Sequence, residues 1–185
     1  MIKSEKIRLI VALIILATSS LGVYYLARGQ DKDNTLEQLA ALNIGIDGEA
    51  PQDTKEYTNK KYNFKLKHPS DLEVKEFDEG GGASLIVFEK EYANSVAGFQ
   101  MFILPYNAKE ITRERFLLDV PSGVQKDMKY IDIEGVNVGI FYSEDSLLGE
   151  TVEIWFINNG YLYEITAPKS LDTWVTDIVK TLHFL

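Results

Sequence analysis

From Tyr62 to His68 apolar and polar residues alternate, with Tyr62, Phe64, Leu66 and His68 set against Asn63, Lys65 and Lys67. A period of two is that of a strand with one buried face. Pro69-Ser70-Asp71 ends it, and Leu72, Val74 and Phe77 carry a second strand. Gly80-Gly81-Gly82 reads as a turn into a strand over 83–89, and a further strand over 96–104 stops at Pro105. The pattern then changes. A helix is predicted over 111–120, capped by Thr112, with Phe116 and Val120 on one face beside Leu117, and Pro121-Ser122-Gly123 ends it. Strands return over 128–133 and 136–143. The clearest local signal is an apolar run over 150–157, then Asn158-Asn159-Gly160, then a second run over 161–166. Asn-Gly between two such runs specifies a tight hairpin, because both residues tolerate positive φ. Ser170 is placed to cap a last helix over 171–182, where Leu171, Trp174, Val175, Ile178 and Leu182 form a stripe that must pack on the sheet.

Upstream the pattern is of another kind. Leu9 to Ala27 reads LIVALIILATSSLGVYYLA without a charge. As a helix this run covers about 28 Å, close to the hydrocarbon thickness of a bilayer. Tyr24 and Tyr25 stand near its distal end, where aromatic rings favour the interface. Lys3, Lys6 and Arg8 precede it, and Asp31 and Asp33 follow soon after Arg28, so residues 1–8 are expected in the cytoplasm and the rest outside. Residues 9–27 are therefore expected to be a transmembrane signal-anchor. The rival is a cleaved signal peptide, with Ser20-Leu21-Gly22 as the small-x-small site, but the apolar run continues past it. A pilin N-terminus is rejected, because Glu5 precedes the apolar stretch and no pilin cleavage motif surrounds it. Residues 28–56 read as a polar linker containing one short helix over 34–43, with Asn34 as cap, Glu37 at the capping-box position and Gly45 as stop. Residues 57–185 then form one domain of about 130 residues, enough for one core.

Antiparallel strands with helices before the middle and at the end predict an α+β fold: an antiparallel β-sheet flanked by helices, an α-β-α sandwich, preceded by one transmembrane helix. Charge narrows the function. The whole chain is −9 and residues 1–28 contribute +3, so the remainder carries −12. Nucleic-acid phosphates repel a domain of this sign, which removes nucleic acid as a partner. The absence of cysteine removes disulfides, thiol nucleophiles and cysteine–zinc sites.

The opening Tyr62-Asn63-Phe64-Lys65-Leu66-Lys67-His68-Pro69 resembles the Gly-Phe-x-x-x-x-Pro start of PsbP-like domains. The close is similar to that family too: Tyr163-Glu164-Ile165-Thr166-Ala167, then a helix with Trp174 and Ile178, then Thr181-Leu182-His183-Phe184. Asn63 replaces the usual glycine, and Leu72 stands where an aromatic residue is common. The resemblance implies an antiparallel sheet with helices on both faces and a binding or accessory role. Photosynthetic members stabilise the oxygen-evolving complex and help retain its ions. Here the basic N-terminus and single hydrophobic helix suggest a bacterial cell-surface relative. No site residue transfers.

Candidate chemistry is sparse. His68 and His183 are the only histidines, and a zinc site would need them to meet with a third ligand. Ser84 stands in Gly82-Ala83-Ser84-Leu85, which is not a nucleophile elbow. Carboxylates cluster at Asp78 and Glu79, at Glu89 and Glu91, and at Glu144 and Asp145. Asp31-Lys32-Asp33-Asn34-Thr35 opens like a calcium loop but has Leu36 where the turn glycine belongs. Phe99, Phe102, Trp155, Phe156, Tyr161 and Tyr163 lie in predicted strands; those not needed for the core would form a binding patch. No catalytic, cofactor-binding or metal-ligating residue is assigned, and no cofactor is expected. The expected function is that of a membrane-anchored extracytoplasmic accessory or ligand-binding domain without catalysis. Its partners are the membrane, through residues 9–27, and an envelope protein. The alternatives are a carboxylate-based hydrolase acting on an envelope polymer and a structural subunit of an envelope complex.

Overall fold

The computed structural model describes residues 53–92, 95–146 and 148–185. The expected membrane helix over 9–27, the short helix over 34–43 and the Asp31–Thr35 loop lie outside these residues. Among the described residues no helix is long and apolar enough to cross a membrane.

The expected strand from Tyr62 is β2 (Phe64–Pro69), and its alternation holds: Phe64, Leu66 and His68 are buried while Lys67 is exposed. It pairs with β1 (Thr54–Asn59) on one side and β10 (His183–Phe184) on the other, forming a small antiparallel sheet in the order β1-β2-β10. The sequence pattern missed both flanking strands. TKEYTN is nearly all polar and begins before Tyr57, within the stretch read as linker, and a strand of two residues has no period.

The large sheet has seven strands. They are β3 (Glu73–Gly80), β4 (Ala83–Tyr92), β5 (Ser95–Pro105), β6 (Lys126–Ile133), β7 (Val136–Asp145), β8 (Gly149–Asn158) and β9 (Tyr161–Pro168). Their order is β3-β4-β5-β9-β8-β7-β6, with every pairing antiparallel. Two meanders therefore meet along β5 and β9. At the β8–β9 turn Asn159 and Gly160 have φ of 49° and 80°, both in the left-handed region the Asn-Gly pair was read to supply.

The two helices are α1 (Arg113–Asp119) and α2 (Asp172–Val179). Thr112 caps α1 as expected, its hydroxyl accepting from the Arg115 N–H at 3.1 Å. Ser170 does not cap α2. A 3-10 turn (Lys169–Leu171) precedes that helix, and Leu171 occupies the cap position without a side-chain bond.

The expected α-β-α sandwich is corrected here: the described residues are mostly antiparallel β-sheet, with two short helices among them. The reason is one of dimensions. A helix of 8 residues is about 12 Å long, whereas a sheet of seven strands is about 29 Å across its hydrogen bonds. Neither helix forms a layer. The inner face of the large sheet is instead covered by the small sheet and α2 together. Phe64 and Leu66 from β2, Phe88 from β4, Phe99 from β5, Tyr163 from β9 and Trp174 from α2 belong to one buried cluster. Phe88 stacks on Phe99 at 4.5 Å and meets the edges of Tyr57 and His68 at 5.3 and 5.4 Å. α1 lies on the outer face, where Phe116 and Val120 pack with Phe141 and Trp155 in a second, smaller cluster.

Phe88 joins both sheets and is fully buried, so Phe88→Ala removes ring contacts on three sides. The expected loss is about 3–5 kcal/mol, measured as a lowered urea midpoint at unchanged slope.

Candidate functional site

On the outer face the strands place polar side chains where a sheet under a helix usually has apolar ones. Alternation along β8 sends Thr151, Glu153 and Trp155 to this face, and the register sets Glu153 opposite Thr166 and Trp155 opposite Glu164 of β9. Above them, helical spacing brings Arg115 and Asp119 together one turn apart on α1, beside buried Phe116.

The Glu153 carboxyl is enclosed by donors. Its Oε1 accepts from the Thr151 hydroxyl at 2.8 Å, and its Oε2 accepts from the Thr166 hydroxyl at 2.7 Å and the Trp155 indole N–H at 3.3 Å. Burial nevertheless outweighs these bonds and pushes its pKa up to about 7, with Asp145 adding to the rise. Glu164 is held well above the usual carboxylate range, first by burial and then by the charge of Asp119. Asp119 is raised by burial, against the opposing pull of hydrogen bonds with Glu164 and Arg115. Arg115 forms a two-pronged ion pair with Asp119, and its Nε lies 3.9 Å from Glu164 Oε1. That Glu164 oxygen is buried without a hydrogen-bond partner, as are Gln100 Oε1 and Ser143 Oγ on the same face. One guanidinium thus faces two carboxyl groups, with Glu153 acting on Glu164 from the neighbouring strand. Glu153 can therefore hold or release a proton near neutral pH. The cluster is closed to a bulky substrate, because the side chains of Asp119 and Glu164 are only 6% and 7% exposed.

None of these four residues was singled out from the sequence. The available signal was a carboxylate in the middle of each strand of the Asn-Gly hairpin, in ETVEIWF and YLYEITA, and an Arg–Asp pair at i,i+4 spacing.

The residues that were singled out do not converge. His68 is buried, its Nδ1 2.8 Å from the Pro69 carbonyl oxygen, and burial lowers its pKa. His183 is exposed and bonded to Glu134 at 2.5 Å. His183 stands opposite Lys65, an odd number of residues from His68 along β2, so the two rings occupy opposite faces and cannot share a metal. Ser84 contacts the Tyr62 hydroxyl at 2.8 Å and accepts from Lys61 Nζ at 2.9 Å. The Lys61 pKa is raised, chiefly by its bond with Tyr62, so its ammonium keeps its proton and cannot activate the serine. Asp78 caps its own turn through the Gly80 N–H, Glu89 pairs with Lys75 at 2.6 Å, and Glu144 pairs with Lys126 at 2.7 Å. Asp145 accepts from the Leu148 N–H at 2.8 Å. Glu79 is half-buried near the end of β3, and the backbone of Glu91 pairs with Val96. Among the described residues no group of three or more His, Asp or Glu could hold a metal ion. Of the aromatics, Phe99, Phe156 and Tyr163 are inner core, Trp155 lies under α1, and Phe102 and Tyr161 are half-buried. Among the described residues the exposed aromatics are Tyr130, 63% exposed, and Phe77, 46% exposed. Tyr130 and Met128 lie over Gly139, where an added Cβ would come within 3.3 Å of the Tyr130 ring.

No family model matches the sequence, and no curated protein matches it. The solved structures include a similar one. The solution structure of cyanobacterial PsbP (CyanoP) from Synechocystis sp. PCC 6803 aligns with a TM-score of 0.53 over 76% of this chain and 96% of that one, at 13% identity. The domain has a PsbP-like fold. At this identity the likeness concerns the fold alone. The domain carries its carboxyl cluster on the outer face beneath α1, away from the small sheet.

Glu153 titrates at about 7 in the fold against an ordinary 4.5, so the fold favours its protonated form. Its contribution to stability is complete below pH 4.5 and is lost as pH rises through 7, on the order of 3 kcal/mol. Urea midpoints should therefore fall from pH 5 to pH 8 in the parent, and Glu153→Gln should flatten that decline. His68 works in the opposite sense, its depressed pKa costing stability as pH falls below 6.5. A parent whose midpoint is the same at pH 5 and 8, with Glu153→Gln indistinguishable from it, would count against a buried protonated Glu153.

Proposed function

We propose that this protein is an extracytoplasmic accessory domain, anchored in the cell membrane through residues 9–27, that works by binding an envelope protein and not by catalysis. The observation that carries the reading is the PsbP-like fold. An accessory role is what that resemblance implies. The placement of the side chains agrees with it. The carboxyls whose pKa burial raises are enclosed beneath α1, while apolar side chains face solvent at the edge of the sheet and on the helix. Met128 and Tyr130 on the edge strand β6, and Leu117 and Leu118 on α1, are the exposed apolar groups of that region. The remainder of −12 beyond residue 28 favours a partner with a basic face.

A second reading, hydrolysis of an envelope polymer, has one observation in its favour: Glu153 and Glu164 are both held protonated more readily than ordinary carboxyls. It requires α1 to leave the sheet before substrate could reach them.

The binding reading is tested by affinity purification from detergent-solubilised membranes, comparing the parent with Met128→Ser/Tyr130→Ser. Both sites are exposed, so the double variant should keep the parental circular dichroism and lose at least tenfold of one specific co-purifying envelope protein. Equal recovery from both forms, or turnover of a wall polymer that disappears in Glu153→Gln, would replace it. The topology is tested separately. Protease added to intact cells should remove the domain, and full protection would reverse the proposed orientation.

A further inference from the structure

The contact between α1 and the sheet joins two forces of different kinds. One is apolar: Phe116 meets Phe141 at 5.8 Å and Trp155 at 5.9 Å, with Val120 alongside. The other is polar and needs a proton. The Asp119 and Glu164 carboxyls lie within hydrogen-bonding reach of each other. Two carboxylates can bond only if one of them carries hydrogen. Arg115 grips Asp119 with two N–H groups and stands 3.9 Å from Glu164, so Asp119 is the ionised partner and Glu164 the donor. In that state the contact holds one guanidinium, one carboxylate and one neutral carboxyl.

We propose that the Glu164–Asp119 hydrogen bond is a proton-dependent latch, which holds α1 on the outer face and lets it lift when Glu164 gives its proton to water. The ionisable groups facing this contact are Arg115 and Asp119 from α1, Glu164 from β9 and Glu153 from β8, with Asp145 of β7 acting on Glu153. β5 contributes the neutral Phe102 and Gln100 to the same face. Once Glu164 ionises, its bond to Asp119 is lost and two carboxylates oppose each other beside one guanidinium. Glu153, raised to about 7 by its own burial, adds a third negative charge when it ionises. Repulsion between like charges is large where water is excluded. α1 is poorly placed to resist it. Seven residues are too few to form a helix stable by itself, so α1 depends on its contacts. Opening is therefore local: the helix departs while the ladders beneath it stay. What it uncovers is the aromatic face of Phe141 and Trp155 with the buried carboxyls. This device goes beyond the accessory reading and does not depend on it.

The test is hydrogen exchange followed by mass spectrometry on the full chain in detergent, at pH 5.5 and 8.5, corrected for the intrinsic pH dependence of exchange. The peptide covering 113–120 should lose at least tenfold in protection at the higher pH, while peptides covering 151–157 and 161–167 keep theirs. In Glu164→Gln a carboxamide N–H can still donate to Asp119 at either pH, so α1 should stay protected at both. The proposal is overturned if α1 protection is the same at both pH values in the parent, if it falls together with that of β8 and β9, or if Glu164→Gln shows the parental loss. Should Glu164→Gln fail to fold, Asp119→Asn serves. Its amide can accept from the neutral carboxyl or donate to the ionised one, so the pH difference at α1 should shrink at least threefold, and an unchanged difference again overturns the latch.

Discussion

The ladder between β5 and β9 is the contact on which the remaining architecture depends. Among the described residues it alone joins the meander β3-β4-β5 to the meander β6-β7-β8-β9. Within each meander neighbouring strands are also neighbours in sequence, so their hairpins close short loops. The β5–β9 rungs, from Gln100 opposite Thr166 to Pro105 opposite Tyr161, close a long one. The entropy of closing a loop grows only slowly with its length, yet it must be met before any reward arrives. The reward comes on both faces at once. Ile103 opposite Tyr163 continues the inner core, and Phe102 opposite Glu164 sets the outer face. Without this ladder the inner cluster would be divided between the two meanders.

The two faces of the sheet solve the problem of cover differently. The inner face meets a second sheet and a helix mostly through packed aromatic rings. The outer face places Glu153 and Glu164 among Trp155, Phe141 and Phe116. Burying a carboxyl is unfavourable unless it is bonded or neutral. Glu153 is both, surrounded by three donors and pushed toward protonation. Glu164 has fewer bonds and leans on Asp119 and Arg115. A network satisfied only in one protonation state makes this the region of the domain most responsive to its surroundings.

Much of the strand framework could be read from the chain because its causes are local. The alternation from Tyr62 to His68, the triple glycine before β4, Pro105 after β5 and the Asn159-Gly160 turn each act within a few residues. The cap of α1 belongs to the same class. What escaped notice depends on residues far apart. β1 has almost no apolar face of its own, and β10 exists only because β2 offers it an edge. The sandwich expectation failed for a related reason: helical periodicity identifies a helix but does not reveal that a second sheet takes its place over the core. The carboxyl cluster was hidden because Glu153 and Glu164 meet Arg115 and Asp119 only after the β8–β9 register is set and α1 folds back across it. Histidine and serine, which attract notice by their chemistry, proved to be dispersed.

The small sheet has a further consequence for how the molecule is made. β10 pairs with β2, and the Leu185 N–H closes on the Asn63 carbonyl at 2.9 Å, so the first and last parts of the domain are knit edge to edge. A ribosome delivers β2 early and β10 only after every strand of the large sheet has been synthesised. Until then one edge of β2 stays open, and the inner aromatic face lacks part of its roof. The small sheet is therefore completed only after every strand of the large sheet has been made.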